Sequence, residues 1–263
     1  IANALVVALT DLGVYPALQS AAFYGERLQP VLQELSTQLR HQSELGEIEV
    51  IACYNLAWSY ALQQRWSETG YWLQRFYTST PGAHTRGAFD AHARLFLLPI
   101  RGTGFYFHYQ QAAYRGDADF RGLLQAGTLL LTGRLCLQKR QYAQAVMAFE
   151  GCLERVPDMY EVLAYLAEAL LQQNQRQAGL TYLERAARTG VFVPSLWLRY
   201  FQQRLLTATG PDLLQLQAQC DVLMTLFQSH KYQRFLAQIT DCRRQLSAQV
   251  ARASGPPDPN AHA

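Results

Sequence analysis

Charge is scarce in this sequence of 263 residues. Asp, Glu, Lys and Arg together make up 16% of the chain, the formal net charge is +3, and Lys139 and Lys231 are the only lysines. No basic block occurs, and the densest basic pair, Arg243 and Arg244, lies close to Asp241. Because a nucleic-acid binder needs a stripe of cations to neutralise phosphates, this pattern argues against a nucleic-acid partner. The hydrophobic fraction of 49% excludes a chain that is disordered throughout.

Motifs for disulfide frameworks and metal sites are missing as well. The five cysteines are scattered, odd in number and free of any C-x-x-C or zinc-like Cys/His spacing, which favours reduced, buried thiols in a cytosolic setting. They are Cys53, Cys136, Cys152, Cys220 and Cys242. His84, His92 and His108 could converge on a metal, but no carboxylate lies beside them at ligand spacing. Packed or solvated histidines are therefore favoured, and we predict no metal and no cofactor.

Catalytic motifs do not occur either. Arg101–Gly104 (RGTG) lacks the third glycine of a dinucleotide fingerprint and the Gly-Lys-Ser/Thr of a P-loop, so a turn between helices explains its glycines. No nucleophile elbow and no His-Glu-x-x-His is present. We therefore expect no catalytic residues and no enzymatic activity. The aromatic run Phe105–Tyr109 is interpreted as a packing helix, in preference to an element that docks a partner.

The beginning of the chain allows two interpretations. It opens at Ile1 without a methionine, which suggests a piece of a longer protein, and Ile1–Leu9 is apolar but too short to cross a bilayer and lacks the basic leader of a signal peptide. A first core helix capped at Thr10–Asp11 is favoured over the tail of a preceding membrane segment. We expect a cytoplasmic location, anchored at the inner membrane through preceding residues if the second interpretation holds.

Helical periodicity characterises much of the remaining chain. Ala145, Phe149 and Cys152 recur at i, i+4 and i+7, and Pro157 follows them. The upstream segment Leu129–Lys139 also has apolar and small residues at helical spacing. The pattern predicts two amphipathic helices joined by a short turn and closed by a proline, which cannot continue a helix.

This pattern resembles the tetratricopeptide repeat. In chain order, the first unit spans Val50–Ala83, the second spans Ala126–Met159, the third begins 34 residues after the start of the second at Tyr160, and a degenerate fourth starts at Pro194. Small residues that would let paired helices approach are Gly133, Ala145, Ala167 and Ala186, and large residues that would fill the gap to the next pair are Tyr60, Phe149 and Leu183. The resemblance implies an all-α fold, an α-solenoid of stacked antiparallel helix pairs with extra helices at both ends.

The predicted organisation divides the chain into four parts. They are N-terminal helices over 1–45, with a helical stripe in Pro16–Gln42; a repeat array over 46–193 with an irregular insert at 82–121; a degenerate repeat with capping helices over 194–253; and a disordered tail over 254–263. The insert is predicted to hold helices at Phe89–Leu98 and Phe105–Tyr114. The closing helices are predicted at Asp212–Gln228 and Tyr232–Arg252.

In the resembling family, the exposed face of each first helix lines a concave groove that binds a partner. The register places Tyr54, Asn55 and Trp58 there from the first unit, Leu130 and Arg134 from the second, Glu161, Tyr165 and Glu168 from the third, and Arg199 and Gln202 from the fourth. Aromatic and arginine side chains dominate many interfaces, although packing between units is an equal alternative for Trp58 and Tyr165. Some family members clamp a terminal carboxylate with Lys and Asn. Asn55 fits that pattern, but no lysine accompanies it, and Leu130 and Leu131 stand where polar groups are expected.

The resemblance implies a non-enzymatic scaffold that binds a protein partner, either a folded domain or an amphipathic helix. The arginine-, glutamine- and alanine-rich composition suggests a bacterial source. The short apolar lead resembles the cytoplasmic arm of membrane-anchored assembly proteins, such as repeat subunits of Pel-type exopolysaccharide complexes. Two alternatives stay open: a regulatory domain of a larger enzyme whose catalytic part lies outside this piece, and a self-assembling oligomer paired through Asp212–Arg252. Membrane contact is expected only through a preceding segment, and no oligomeric state is indicated.

Overall fold

The computed structural model describes residues 26–27, 30–31, 43–78, 120–228 and 232–253. Nine α-helices lie within 43–253 of this described part: α1 Ser43–Leu62, α2 Trp66–Thr78, α3 Phe120–Gln138, α4 Tyr142–Arg155, α5 Tyr160–Gln172, α6 Arg176–Thr189, α7 Pro194–Leu205, α8 Pro211–Leu226 and α9 Gln233–Ala253. No strand occurs in the described ranges. The predicted all-α class is confirmed. None of the described helices is both long and apolar enough to cross a membrane.

The turn inside each helix pair repeats the same backbone geometry. Gln64, Arg140 and Asn174 occupy the equivalent place in the α1–α2, α3–α4 and α5–α6 turns, and all three have positive φ, at 60°, 57° and 62°. In each turn the next residue donates its backbone N–H to a carbonyl oxygen five residues earlier, at 2.8 to 2.9 Å. A left-handed residue followed by such a bond closes a helix and reverses the chain. The three units are therefore structural repeats as well as sequence repeats.

Helix pairs stack on one another in chain order. Within the pairs α1 packs on α2, α3 on α4 and α5 on α6, and successive pairs meet through α2–α3, α4–α5 and α6–α7. Both helices of the first pair contact α3, although more than forty residues separate α2 from α3 in the sequence. The first and second units are thus stacking neighbours. This stacked arrangement is the predicted α-solenoid.

Small and large side chains meet where the repeat pattern predicts. Gly133, Ala145, Ala167 and Ala186 are buried between helices, and Tyr60, Phe149 and Leu183 are buried with them. Gly179 stands where the family usually has alanine. A β-carbon added there would lie 2.8 Å from Cγ of Leu171 and 3.1 Å from the carbonyl oxygen of Ala167, which explains the exchange.

The repeat pattern ends after α7. α7 packs on α6 and on α9, whereas α8 packs mainly on α9. The departure begins at Gly210, where φ is +45°, directly before α8. The indole Nε1 of Trp197 donates to the carbonyl oxygen of Val191 at 3.1 Å, and the amide of Gln249 donates to the carbonyl oxygen of Leu205 at 3.3 Å. These bonds hold α7 between the third pair and α9.

Several predictions fall on residues outside the described ranges. They are the lead Ile1–Leu9 with its cap at Thr10–Asp11, most of Pro16–Gln42, the helices Phe89–Leu98 and Phe105–Tyr114, the turn Arg101–Gly104, the histidines His84, His92 and His108, and the tail 254–263. The four-part division of the chain stays a prediction.

Candidate functional site

The three residues predicted from the first unit lie inside the protein. Tyr54 and Asn55 have 0% of their surface exposed and Trp58 has 1%. Tyr54 packs against α3, where a β-carbon added at Gly127 would lie 2.9 Å from its Cε2 atom, and burial raises the pKa of the Tyr54 hydroxyl above its ordinary value. In the folded protein these side chains are not accessible to a partner. This corrects the expectation that they line an exposed groove.

The sequence of α1 itself indicates that these side chains are buried. Val50–Ala61 contains no charged residue, and every side chain in it is buried. A helix that is apolar on all sides lies inside a protein, so the register of one face does not predict an exposed surface there. Leu130 of the second unit is likewise buried, at 2% exposure.

Arg134 of the second unit contacts three aromatic rings, two from the first unit and one from the third. Its guanidinium carbon lies 5.9 Å from the ring centroid of Trp58, 5.3 Å from that of Trp66 and 5.5 Å from that of Tyr165. We call these four residues the Arg134 cluster. A cation within about 6 Å of a ring face is attracted by the electrons of that face, and more strongly where water is partly excluded. Arg134 is half-buried, so the cluster joins the units by cation–π contacts.

The packing around the Arg134 cluster is dense. The rings of Phe149 and Tyr165 stack with centroids 5.8 Å apart and planes 16° apart. Next to Arg134, a β-carbon added at Gly133 would lie 2.7 Å from Cδ1 and Cζ of Phe149, a distance at which something must move. Glycine is therefore required at 133 for α3 and α4 to approach. The predicted Trp58, Arg134 and Tyr165 do come together, but in a packed joint between units.

The remaining predicted residues lie on α5 and α7 and are more open. Glu168 and Arg199 form an ion pair with Nη2 and Oε2 3.1 Å apart, and about two fifths of each side chain is exposed. Gln202 is exposed one turn further along α7. Glu161 is half-buried in the first turn of α5, where it accepts a hydrogen bond from Tyr160. Burial, followed by that bond, raises the pKa of the Tyr160 hydroxyl above its ordinary value.

A depression opens beside the ion pair, with a cavity volume of about 350 Å³. It is lined by Glu168, Leu171, Gln172, Asn174, Arg176, Arg199 and Gln203, and we call it the α5–α7 depression. Its walls hold two guanidinium groups, one carboxylate and three amides, with Leu171 as the apolar contribution. These groups donate and accept hydrogen bonds from several directions. Among the residues that the structure describes, no cluster of His, Cys, Asp or Glu could hold a metal ion.

The sequence did not predict every residue of the Arg134 cluster and of the α5–α7 depression. Trp66 and Arg176 were not assigned to the site, because only the first helix of each unit was placed in the groove and both residues begin second helices. Leu171 and Gln172 follow Glu168 at i+3 and i+4, so helical spacing alone could have added them. Arg176 begins the second helix of its pair and reaches the depression across a three-residue turn.

Sequence comparison identifies one family match, over part of this chain. Among curated proteins no sequence matches this chain. A solved structure described as the TPR2AB-domain:pHSP90-complex of yeast Sti1 is similar over 88% of this chain and 85% of that chain, with 12% identity and a TM-score of 0.40. At this identity and score the likeness is not evidence for a shared ligand. Residues 137–194, which span the end of α3 to the start of α7, match the family model for the tetratricopeptide repeat. Residues 137–194 therefore contain tetratricopeptide repeat sequence.

Proposed function

We propose that this chain is a non-enzymatic scaffold that binds a protein partner along the first helices α5 and α7. The observation that carries the proposal is the open row of Glu168, Arg199 and Gln202 beside the α5–α7 depression. Gln202 is exposed, and about two fifths of the Glu168 and Arg199 side chains is exposed, whereas the predicted residues of the first unit and Leu130 of the second are buried. This contrast supports α5 and α7 as the accessible part of the predicted groove. Accessible arginine with neighbouring polar groups is typical of interface surfaces.

Site-specific photo-crosslinking tests this proposal. A photoreactive amino acid replaces Gln202 on the proposed face, and in a matched variant it replaces Met147 on α4, a second-helix residue that is 72% exposed. Both variants are expressed in the source cells and irradiated. We expect a discrete crosslinked protein from position 202 and none from position 147. Crosslinks from position 147 alone, or from neither position, would contradict binding along the first helices.

The predicted setting is a further part of the proposal. A bacterial membrane-associated assembly of the exopolysaccharide type is supported only by composition and by the apolar lead before the repeats. The location that follows is the cytoplasm, next to the inner membrane. Fractionation of cells that express the full-length protein would test this. Recovery in the inner-membrane fraction agrees with the proposal, and recovery in the soluble fraction contradicts it.

Self-association is a second candidate, and one observation favours it. α8 exposes Leu214, Val222 and Leu226, at 58%, 66% and 50%, on the side opposite the residues that it buries. These positions share one helix face because they differ by multiples of four. Light scattering over a dilution series measures the mass, and Val222→Asp should dissociate any dimer held by this face. A monomer at every concentration would exclude it.

A further inference from the structure

We propose that the α5–α7 depression binds an acidic side chain, Asp or Glu, of the protein partner, and that Arg176 and Arg199 hold its carboxylate. The inference rests on the proposed function and adds the chemistry of the bound segment. It comes from the charge balance of the lining: two arginines face one carboxylate, Glu168. The side chains that line the depression therefore have a net charge of +1, which a partner carboxylate would neutralise.

Of the two arginines that line the depression, Arg176 has no counterion among the residues that the structure describes. The other two arginines of α6 are paired, Arg185 with Asp158 and Arg188 with Glu184. Within the described part of the chain Arg176 takes part in no ion pair and no hydrogen bond through its side chain, and it is exposed. A guanidinium presents five donors in a plane, a shape that matches a carboxylate. A partner carboxylate would thus gain a donor that the chain itself does not use.

Arg199 can take part because its own ion pair is weak. The pair with Glu168 is about two fifths exposed on both sides, and an exposed pair of this kind stabilises a protein by only about 0–1 kcal/mol. An arriving carboxylate can share Arg199 with Glu168 or displace it at little cost. Glu168 then acts as a built-in competitor for the same guanidinium.

The remaining lining favours a carboxylate on a short aliphatic stem. The amides of Gln172, Asn174 and Gln203 can each donate a hydrogen bond, and Leu171 offers apolar surface to methylene groups. Asp and Glu side chains have both parts. Because the depression lies next to Gln202 on α7, the same partner segment could continue along the proposed face.

The test selects binding peptides from a random twelve-residue library displayed on phage. Each displayed peptide is joined at its C-terminus to the coat protein, so no terminal carboxylate is free and any acidic preference comes from side chains. The library is selected in parallel on the wild-type chain and on Arg176→Gln. We expect Asp and Glu to be enriched at one or more positions with the wild type, and the enrichment to disappear with Arg176→Gln.

One selected peptide is then synthesised with a C-terminal amide and a fluorescent label, and its Kd is measured by anisotropy. We expect Arg176→Gln and Arg199→Gln each to weaken binding about fivefold, the range of a surface charge contact. Glu168→Gln should strengthen binding by about twofold, because it removes the competitor. Arg188→Gln is the matched control. It removes one positive charge from α6, as Arg176→Gln does, but outside the depression, so the Kd should be unchanged.

The outcomes separate this inference from the proposed function. Peptides selected without Asp or Glu enrichment, or a Kd that responds equally to Arg176→Gln and Arg188→Gln, would overturn the acidic site and leave the scaffold standing. Failure to select any peptide would also overturn the acidic site. The scaffold itself is decided separately, by the crosslinks from position 202.

Discussion

Two joints between units use equivalent positions of the repeat, but they differ in their exposure to solvent and in the kind of side chains that meet. Arg134 meets Tyr165, and Glu168 meets Arg199; in both cases the partners are 31 residues apart. The first contact lies in the Arg134 cluster, beside the stacked rings of Phe149 and Tyr165. The second is an ion pair that faces solvent at the edge of a depression.

The difference shows that the repeat register determines which side chains meet, whereas their neighbours determine what the contact does. At the first joint, Trp58 and Trp66 come from the preceding unit and cover the guanidinium. At the second joint, Glu168 occupies the position of Arg134, and no aromatic ring covers the pair in the described structure. The first joint is therefore covered and the second is open to solvent, which is the property that the proposed partner site requires.

The largest effect should come from Gly133→Ala, which fills the approach between α3 and α4 beside the first joint. The added carbon would meet the Phe149 ring, with two ring atoms 2.7 Å away. Overpacking of this kind costs about 1–3 kcal/mol. We expect the free energy of unfolding, measured by urea denaturation, to fall by that amount.

Gly151→Ala is the matched control for this substitution. It lies on the neighbouring helix α4, and its added carbon would be 3.5 Å from the nearest atom, Cδ1 of Leu129, which is an ordinary contact. Because alanine favours a helix over glycine, Gly151→Ala should be neutral or stabilise the protein by up to about 1 kcal/mol. Equal destabilisation by both substitutions would show that the first joint is not as tightly packed as the structure indicates.

A pH-dependent effect follows from Cys152, which is buried near the first joint. Its thiol donates to the carbonyl oxygen of Ala126 at 3.2 Å, and burial raises the pKa of the thiol from 9.0 to about 12. Between these values the unfolded chain loses the proton while the folded chain keeps it. The free energy of unfolding therefore falls with rising pH, by about 1.4 kcal/mol per pH unit, and is unaffected by this group below pH 9.

Cys152→Ala removes this titration. Urea denaturation of the wild type and the variant at several pH values from 7 to 11 should give two curves that are parallel below pH 9. Above pH 9 the wild type should lose stability more steeply than the variant. Curves that stay parallel up to pH 11 would mean that the thiol is less protected from solvent than its burial indicates.

Two double-mutant cycles compare the joints directly. For the first joint the cycle combines Arg134→Met with Tyr165→Leu, and the coupling energy should be about 1 kcal/mol, as expected for a partly desolvated cation–π contact. For the second it combines Glu168→Gln with Arg199→Gln, and the coupling should be about 0.3 kcal/mol, as for an exposed ion pair. Thermal or urea unfolding supplies the energies. Equal coupling energies would remove the distinction between the two joints.

The fold could be predicted from the sequence because it depends on local spacing. Small residues such as Gly133 and Ala145, and a period of 34 residues, are visible without a structure, and they specify how helices pair. The site was only partly predictable. The register brought Trp58, Arg134 and Tyr165 together, but burial at Trp58 depends on surrounding chain that no register describes, and Arg176 enters the depression from a second helix.

A further small effect concerns the turns that precede the second helices of the second and third units. Arg140 and Asn174 both have left-handed backbone, with φ of 57° and 62°. A β-carbon makes this conformation costly, by roughly 1–2 kcal/mol, but asparagine tolerates it better than arginine. Glycine removes the cost and adds an entropic penalty of roughly 0.5–1 kcal/mol. Arg140→Gly should therefore stabilise the protein by about 0.5 kcal/mol, whereas Asn174→Gly should have no net effect. Urea midpoints of the two variants decide this: a gain at 174 that equals the gain at 140 would mean that asparagine bears the same strain as arginine in these turns.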